Sequence, residues 1–180
     1  MLKIINRWQL WGILCLFSLI ALGFSESNEK STVQKDLESS ALNFGGSHNI
    51  LYVVVSPEGK KTGHLTSSKY LKEIPNSVSV RNFIENTVTG KLEGGSQIVE
   101  LYQPSSGTYS LNILGLETGP FNIGISGFSE KGVPTEFVKL SGKIVKNAKH
   151  NMKVQFDPKT GIAKVLGNGS IHINTKKIGR

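Results

Sequence analysis

The residues able to do chemistry are few and scattered. A calcium site needs several oxygen ligands, usually clustered aspartates. The chain has only Asp36 and Asp157, far apart in sequence. Its four histidines, His48, His64, His150 and His172, show no compact spacing of the kind that holds zinc. His48 and His64 can meet across neighbouring strands, but solvated surface histidines are the commoner case. Gly124-Ile125-Ser126 begins a nucleophile elbow, yet Phe128 stands where the closing glycine belongs. Leu140-Ser141-Gly142-Lys143 echoes a phosphate loop but lacks the upstream glycine and the hydroxyl residue after lysine. Glu85, Glu93 and Glu100 supply carboxylates for glycosidase chemistry, and no spacing brings two of them together. No catalytic residue, metal ligand or cofactor is assigned, and the chain reads as non-catalytic.

Binding chemistry has better candidates. Residues 131–180 hold 11 Lys and Arg against Glu136 and Asp157, whereas residues 24–130 hold 8 basic and 11 acidic residues. Such a basic third can face a polyanion, either an acidic glycan or a lipid headgroup. Lys139, Lys143, Lys146, Lys149 and Lys153 are the candidate anion-binding residues. The competing account is a lysine-rich face that blocks edge-strand pairing. It is favoured because Arg180 is the only arginine there, and arginine is the usual bidentate phosphate reader. Among the aromatics, Tyr102 and Tyr109 are expected inside. Tyr70 is the candidate exposed contact. Asn168-Gly169-Ser170 is a glycosylation sequon in a eukaryotic host and otherwise a tight turn.

The N-terminus suggests where these groups would work. Lys3 and Arg7 precede 18 uncharged residues, Trp8 to Ser25, with small residues at Ala21 and Gly23 before a polar run. That order predicts a signal peptide over residues 1–25. An uncleaved anchor is the alternative, although 18 residues at ~1.5 Å each fall just short of a ~30 Å hydrocarbon core. Cys15 lies among bulky residues inside the apolar run, which disfavours a lipidation site. It is the only cysteine and would leave with the signal, so disulfide and thiolate chemistry are excluded from the mature chain. With 180 residues, 38% of them hydrophobic, the chain has material for one core and is not disordered throughout.

Residues 26–46 are polar. Val33, Leu37, Ala41 and Phe44 recur at helical spacing there, so a leader or a short helix is expected. The strand pattern starts afterwards, and residues 47–180 are assigned to one domain. Leu51 to Val55 is a β-branched run suited to a strand buried on both faces. It ends at the turn Ser56-Pro57-Glu58-Gly59. An irregular stretch over Ser67 to Asn76 comes next, then strands at Val78–Ile84 and Gln97–Gln103. Tyr109, Leu111 and Ile113, then Phe121, Ile123 and Ile125, alternate with polar residues around a glycine turn, which predicts a hairpin. Further strands are expected at Thr135–Leu140, Asn151–Phe156 and Gly161–Leu166. Short strands at this spacing, with no long helical pattern, predict an all-β antiparallel sandwich.

Two segments carry a resemblance. VVSPEGKKTGH with the following EIPNS, and SSGTYSLNILGLETGPFNIGISGF, resemble the bacterial exported Ig-like or pre-peptidase C-terminal-like β-sandwich module. Its marks are a Pro-x-Gly turn with a basic pair and Thr-Gly, then a Gly-Thr-Tyr hairpin. The match spans roughly residues 49–128. This chain has Ser56 where aspartate is common and Asn76 where glycine is common. The resemblance implies an Ig-like, non-catalytic accessory module and carries no ligand residues with it. The expectation is therefore a secreted, periplasmic or cell-surface module with structural or protein-interaction roles. Its partner would be an envelope or extracellular protein, with polyanion binding as the alternative. Nucleic acid is excluded by export, and membrane contact would come only through an uncleaved N-terminus.

Overall fold

The structure is a computed structural model that describes residues 38–90, 92–166 and 176–178. The expected signal peptide, the leader before residue 38, the Asn168-Gly169 turn and His172 lie outside these residues. Twelve strands are described: β1 (Ala41–Ser47), β2 (Ile50–Val55), β3 (Lys61–His64), β4 (Tyr70–Lys72), β5 (Ser77–Glu85), β6 (Leu92–Tyr102), β7 (Gly107–Gly115), β8 (Gly119–Phe128), β9 (Phe137–Ile144), β10 (Lys149–Asp157), β11 (Ile162–Leu166) and β12 (Lys176–Ile178). They form two six-stranded antiparallel sheets. The first runs β12-β9-β8-β1-β6-β5 and the second β11-β10-β7-β2-β3-β4. This is the antiparallel β-sandwich that the alternation predicts.

The alternating residues build the core. Leu42 and Phe44, Val99 and Leu101, Tyr109 to Ile113, Phe121 to Ile125, and Met152 to Phe156 bury one side chain in two between the sheets. Each large apolar group so buried stabilises by ~1.5–3 kcal/mol before its ordering cost. β2 is buried on both faces, since Leu51 (1%) and Val53 (5%) are covered on the outer side too. Strands β9 to β11 pair with β8 and β7, so residues up to 166 complete this same sandwich.

Three expectations are corrected. The domain does not start at residue 47. β1 lies in the middle of the first sheet, hydrogen-bonded to β6 on one side and β8 on the other. The helical spacing of Ala41 and Phe44 misleads, because Leu42 and Phe44 alternate with Asn43 and Gly45 about a strand axis. Gly45 and Gly46 also dilute the strand signal. Gly46 is required there, since a Cβ would strike the Tyr52 ring. The stretch expected to be irregular, Ser67 to Asn76, holds β4, and β3 precedes it.

The third correction concerns the Gly-Thr-Tyr hairpin. β7 belongs to the second sheet and β8 to the first, so residues 116–118 arch from one sheet to the other. Period-two alternation reveals which face of a strand is buried but not which strand lies beside it. Both strands face one core from opposite sides. Asn49 ties the arch down: its carbonyl accepts the Leu116 N–H (2.8 Å), and its Nδ2 donates to the Pro120 carbonyl (3.0 Å). The consecutive strands that do pair directly are β2–β3, β3–β4, β5–β6, β8–β9 and β10–β11.

Candidate functional site: an open sheet edge and its flanks

The five candidate lysines do not converge. Leu140 and Ile144 of β9 point inward, so Lys139 and Lys143 stand on the outer face of the first sheet. Met152 and Val154 of β10 point inward as well, so Lys149 and Lys153 stand on the outer face of the second. Those faces are opposite sides of the sandwich. Lys146 sits in the turn between, its N–H bonded to Thr118 Oγ1 (3.1 Å). Lys164 of β11 pairs with Gln155 and joins the Lys149 and Lys153 side.

Three of the four sheet edges also carry lysine. Four strands are edges: β12 and β5 in the first sheet, β11 and β4 in the second. β12 is three residues long and includes Lys176 and Lys177; β4 is three residues with Lys72; β11 is five residues with Lys164. Short, lysine-bearing edges resist pairing with other chains. β5 is different. It is nine residues long, SVSVRNFIE, and has neither lysine nor proline. Among the described residues, no strand pairs with its outer edge.

The flanks of β5 are apolar and open. Val78, Val80 and Ile84 lie on the outer face, exposed at 40%, 42% and 64%, and Phe83 is exposed on the other side. Val80 pairs with Ile98 of β6, and Ile98 with Gly45 of β1. Gly45 in turn pairs with Gly124 of β8. These two glycines floor a trough between Ile98 and Phe137, and the Phe137 ring lies where a Gly124 Cβ would stand. The buried Asn43 Oδ1 faces no hydrogen-bond donor here. Tyr102, expected inside, is on this outer face and donates to Glu100 Oε2 (2.7 Å). Leu101 takes the inward position instead.

On the inner side of β5 the two sheets meet through polar contacts. The Ser77 hydroxyl donates to the Ile74 carbonyl (2.6 Å) and lies 2.9 Å from Thr62 Oγ1. Ser79 Oγ lies 3.0 Å from His64 Nδ1. His64 thus meets a serine of the opposite sheet, and His48 lies elsewhere, in the turn between β1 and β2. Burial, then the Arg81 charge, hold the His64 imidazole below its ordinary pKa. Tyr70 is exposed at 60%, as predicted, with its ring 5.9 Å from that of His64. Arg81 stacks on Phe83, the guanidinium carbon 4.6 Å from the ring centroid. The sequence reading missed Arg81, which looked like one more charge on a strand.

It also missed Gln97. This side chain is fully buried between the sheets. Its Nε2 donates to the Tyr52 carbonyl (2.7 Å), and its Oε1 accepts the Tyr52 N–H (3.1 Å). The amide of a β6 side chain thereby acts as a strand partner for β2 in the other sheet. The Tyr52 hydroxyl returns to the carbonyls of Phe44 (2.8 Å) and Gln97 (2.9 Å). Burial pushes that phenol well above its ordinary pKa. Among the described residues, no three His, Cys, Asp or Glu side chains converge as metal ligands. No protein-family model, curated protein or solved structure matches the chain.

Proposed function

We propose that the chain is a non-catalytic, exported β-sandwich that serves as a protein-interaction module at the cell envelope. It takes an extended segment of its partner as an added strand on β5. The contrast among the four edges carries this reading: three are short and lysine-bearing, and the fourth is nine residues long with neither lysine nor proline and four exposed apolar side chains. An open edge supplies main-chain hydrogen bonds, and exposed residues on both flanks supply side-chain contacts. Val78 and Val80 continue into Ile98 and the trough beside Phe137, so the added segment would rest on an apolar shoulder. Export through residues 1–25 is part of the proposal.

Two features support kinship with the Ig-like or pre-peptidase C-terminal-like modules. The Tyr109 hydroxyl, near the start of β7, donates to the Ser105 carbonyl four residues upstream (2.8 Å), as in the tyrosine corner of Ig-like sandwiches. Asn76, where glycine is common in that module, has φ 51°, a left-handed conformation that Asn tolerates and glycine prefers. The polyanion reading has weaker support, because its five lysines divide between opposite faces.

The test is capture from envelope extract with the chain from residue 26, wild type beside Val80→Lys and Ile84→Lys. Both side chains are exposed, so the fold tolerates the change. The expected result is one defined protein held through high salt by wild type and lost by both variants. Its purified complex should show slowed amide exchange across Ser77–Glu85. Equal retention by the variants rejects strand addition. Salt-released glycan or lipid transfers the role to the lysines. A doubled solution mass without any other protein makes the β5 partner a second copy.

A further inference from the structure

On the inner side of β5, facing β3 and β4, stands the guanidinium of Arg81. Arg81 stacks its guanidinium face on Phe83, which occupies the plane and leaves the N–H fork at its rim unused. Nη1 is buried and has no hydrogen-bond partner. The side chain as a whole is only partly buried, but a charged N–H turned away from solvent favours an acceptor. The groups around it are donors or neutral. His64 spends Nδ1 on Ser79, and Tyr70 stands exposed beside the imidazole. The pairing of Thr62 with Lys72 puts Lys72 on the same face of the sheet. Among the described residues, no carboxylate is hydrogen-bonded to the guanidinium.

We propose that Arg81, with Ser79 and His64 on the same inner side and Tyr70 beside the imidazole, is a binding site for a carboxylate. One guanidinium fork matches one planar monoanion, the pairing in which two parallel charge-assisted hydrogen bonds form. The site is independent of strand addition at β5, since a small anion reaches it without occupying the strand edge.

The probe is sodium acetate, titrated at constant ionic strength against chloride, with sulfate and inorganic phosphate as separate arms. The histidine ring signals are followed by NMR. The expected result is a saturable shift of the His64 ring with acetate, while His48 and His150 stay with the chloride control. Binding should weaken about tenfold or more in Arg81→Gln, as for loss of a charge-assisted hydrogen bond. Arg81→Lys, which keeps the charge without the fork, should weaken it less. Unchanged signal dispersion in both variants establishes that they fold. A His64 shift equal to that of His48 overturns the proposal, as does an undiminished shift in Arg81→Gln. Saturation by sulfate or phosphate without acetate overturns the carboxylate assignment.

Discussion

At the scale of single residues, Gln97 does what no apolar residue could do in its place. It satisfies both main-chain groups of Tyr52 at a point where β2 has no strand beside it on that side. Gln97→Leu fits the cavity in volume but strands a buried N–H and a buried C=O, each costing ~1–3 kcal/mol. The expected loss is about 2 kcal/mol or more, read as a lower urea midpoint with an unchanged slope. Tyr52→Phe should cost less, about 1 kcal/mol, because the two carbonyls it leaves retain their strand bonds. A Gln97→Leu midpoint equal to wild type would show that the bridge contributes nothing. The inward position of Gln97 was not read, because placing Tyr102 inside turns Gln97, Val99 and Leu101 outward. Its role was hidden too, because glutamine usually marks the surface.

His64 gives a second test at this scale. Its folded pKa is lowered by burial and then by Arg81, while in the unfolded chain it titrates near ~6.5. Below that pH the unfolded chain takes up a proton that the native imidazole refuses. The contribution is therefore full above the unfolded value, declines as pH falls toward the folded value, and is level below it. Denaturation midpoints measured from about pH 7.5 down to about pH 5 should fall less steeply in His64→Gln than in wild type. Parallel curves would mean that another group sets the slope.

At the scale of elements, β3 depends on one glycine. Gly63 has φ 139°, and a Cβ there would run into the Tyr52 carbonyl and the Val53 Cα. Gly63→Ala forces β3 away from β2 and takes β4 with it, because β4 pairs with β3 alone. Amides of Lys61–His64 and Tyr70–Lys72 should then exchange much faster, while β7 and β10 stay protected. Retained protection in β3 would show that the backbone relaxes around the methyl. Element type was largely readable: the runs at Leu51, Tyr109, Phe121 and Met152 are all strands whose inner residues lie where alternation put them. The partners were not readable, as the β7–β8 arch shows, because a turn of the same length can close a hairpin or cross between sheets. The short strands β3 and β4, with Thr62, Gly63, Tyr70 and Lys72, are too polar to announce themselves. The edge at β5 was within reach, since its lack of lysine is visible once the strand is known to be terminal.

At the scale of the whole molecule, cohesion is non-local. β1 pairs with β6 at separations of 49 to 61 residues and with β8 at 77 to 87. Such pairing makes folding slow, because loop closure must precede the contacts that reward it. It also makes the sandwich depend on a segment whose composition looks dispensable. A chain that begins at residue 48, one residue past the boundary read from polarity alone, lacks Leu42 and Phe44. It also opens a gap of one strand in the middle of the first sheet, between β6 and β8. Closing that gap would set β8 beside β6, a different pairing on the same core. The chain from residue 38 should unfold in one cooperative transition. The chain from residue 48 should lack that transition and should bind a hydrophobic dye, as collapsed states with unfixed packing do. A peptide of residues 38–48 added in trans should restore the transition if the missing strand is the sole defect. Cooperative unfolding of the shorter chain by itself would instead mean that β6 and β8 hold the first sheet without β1, and that the domain begins where the polar composition ends.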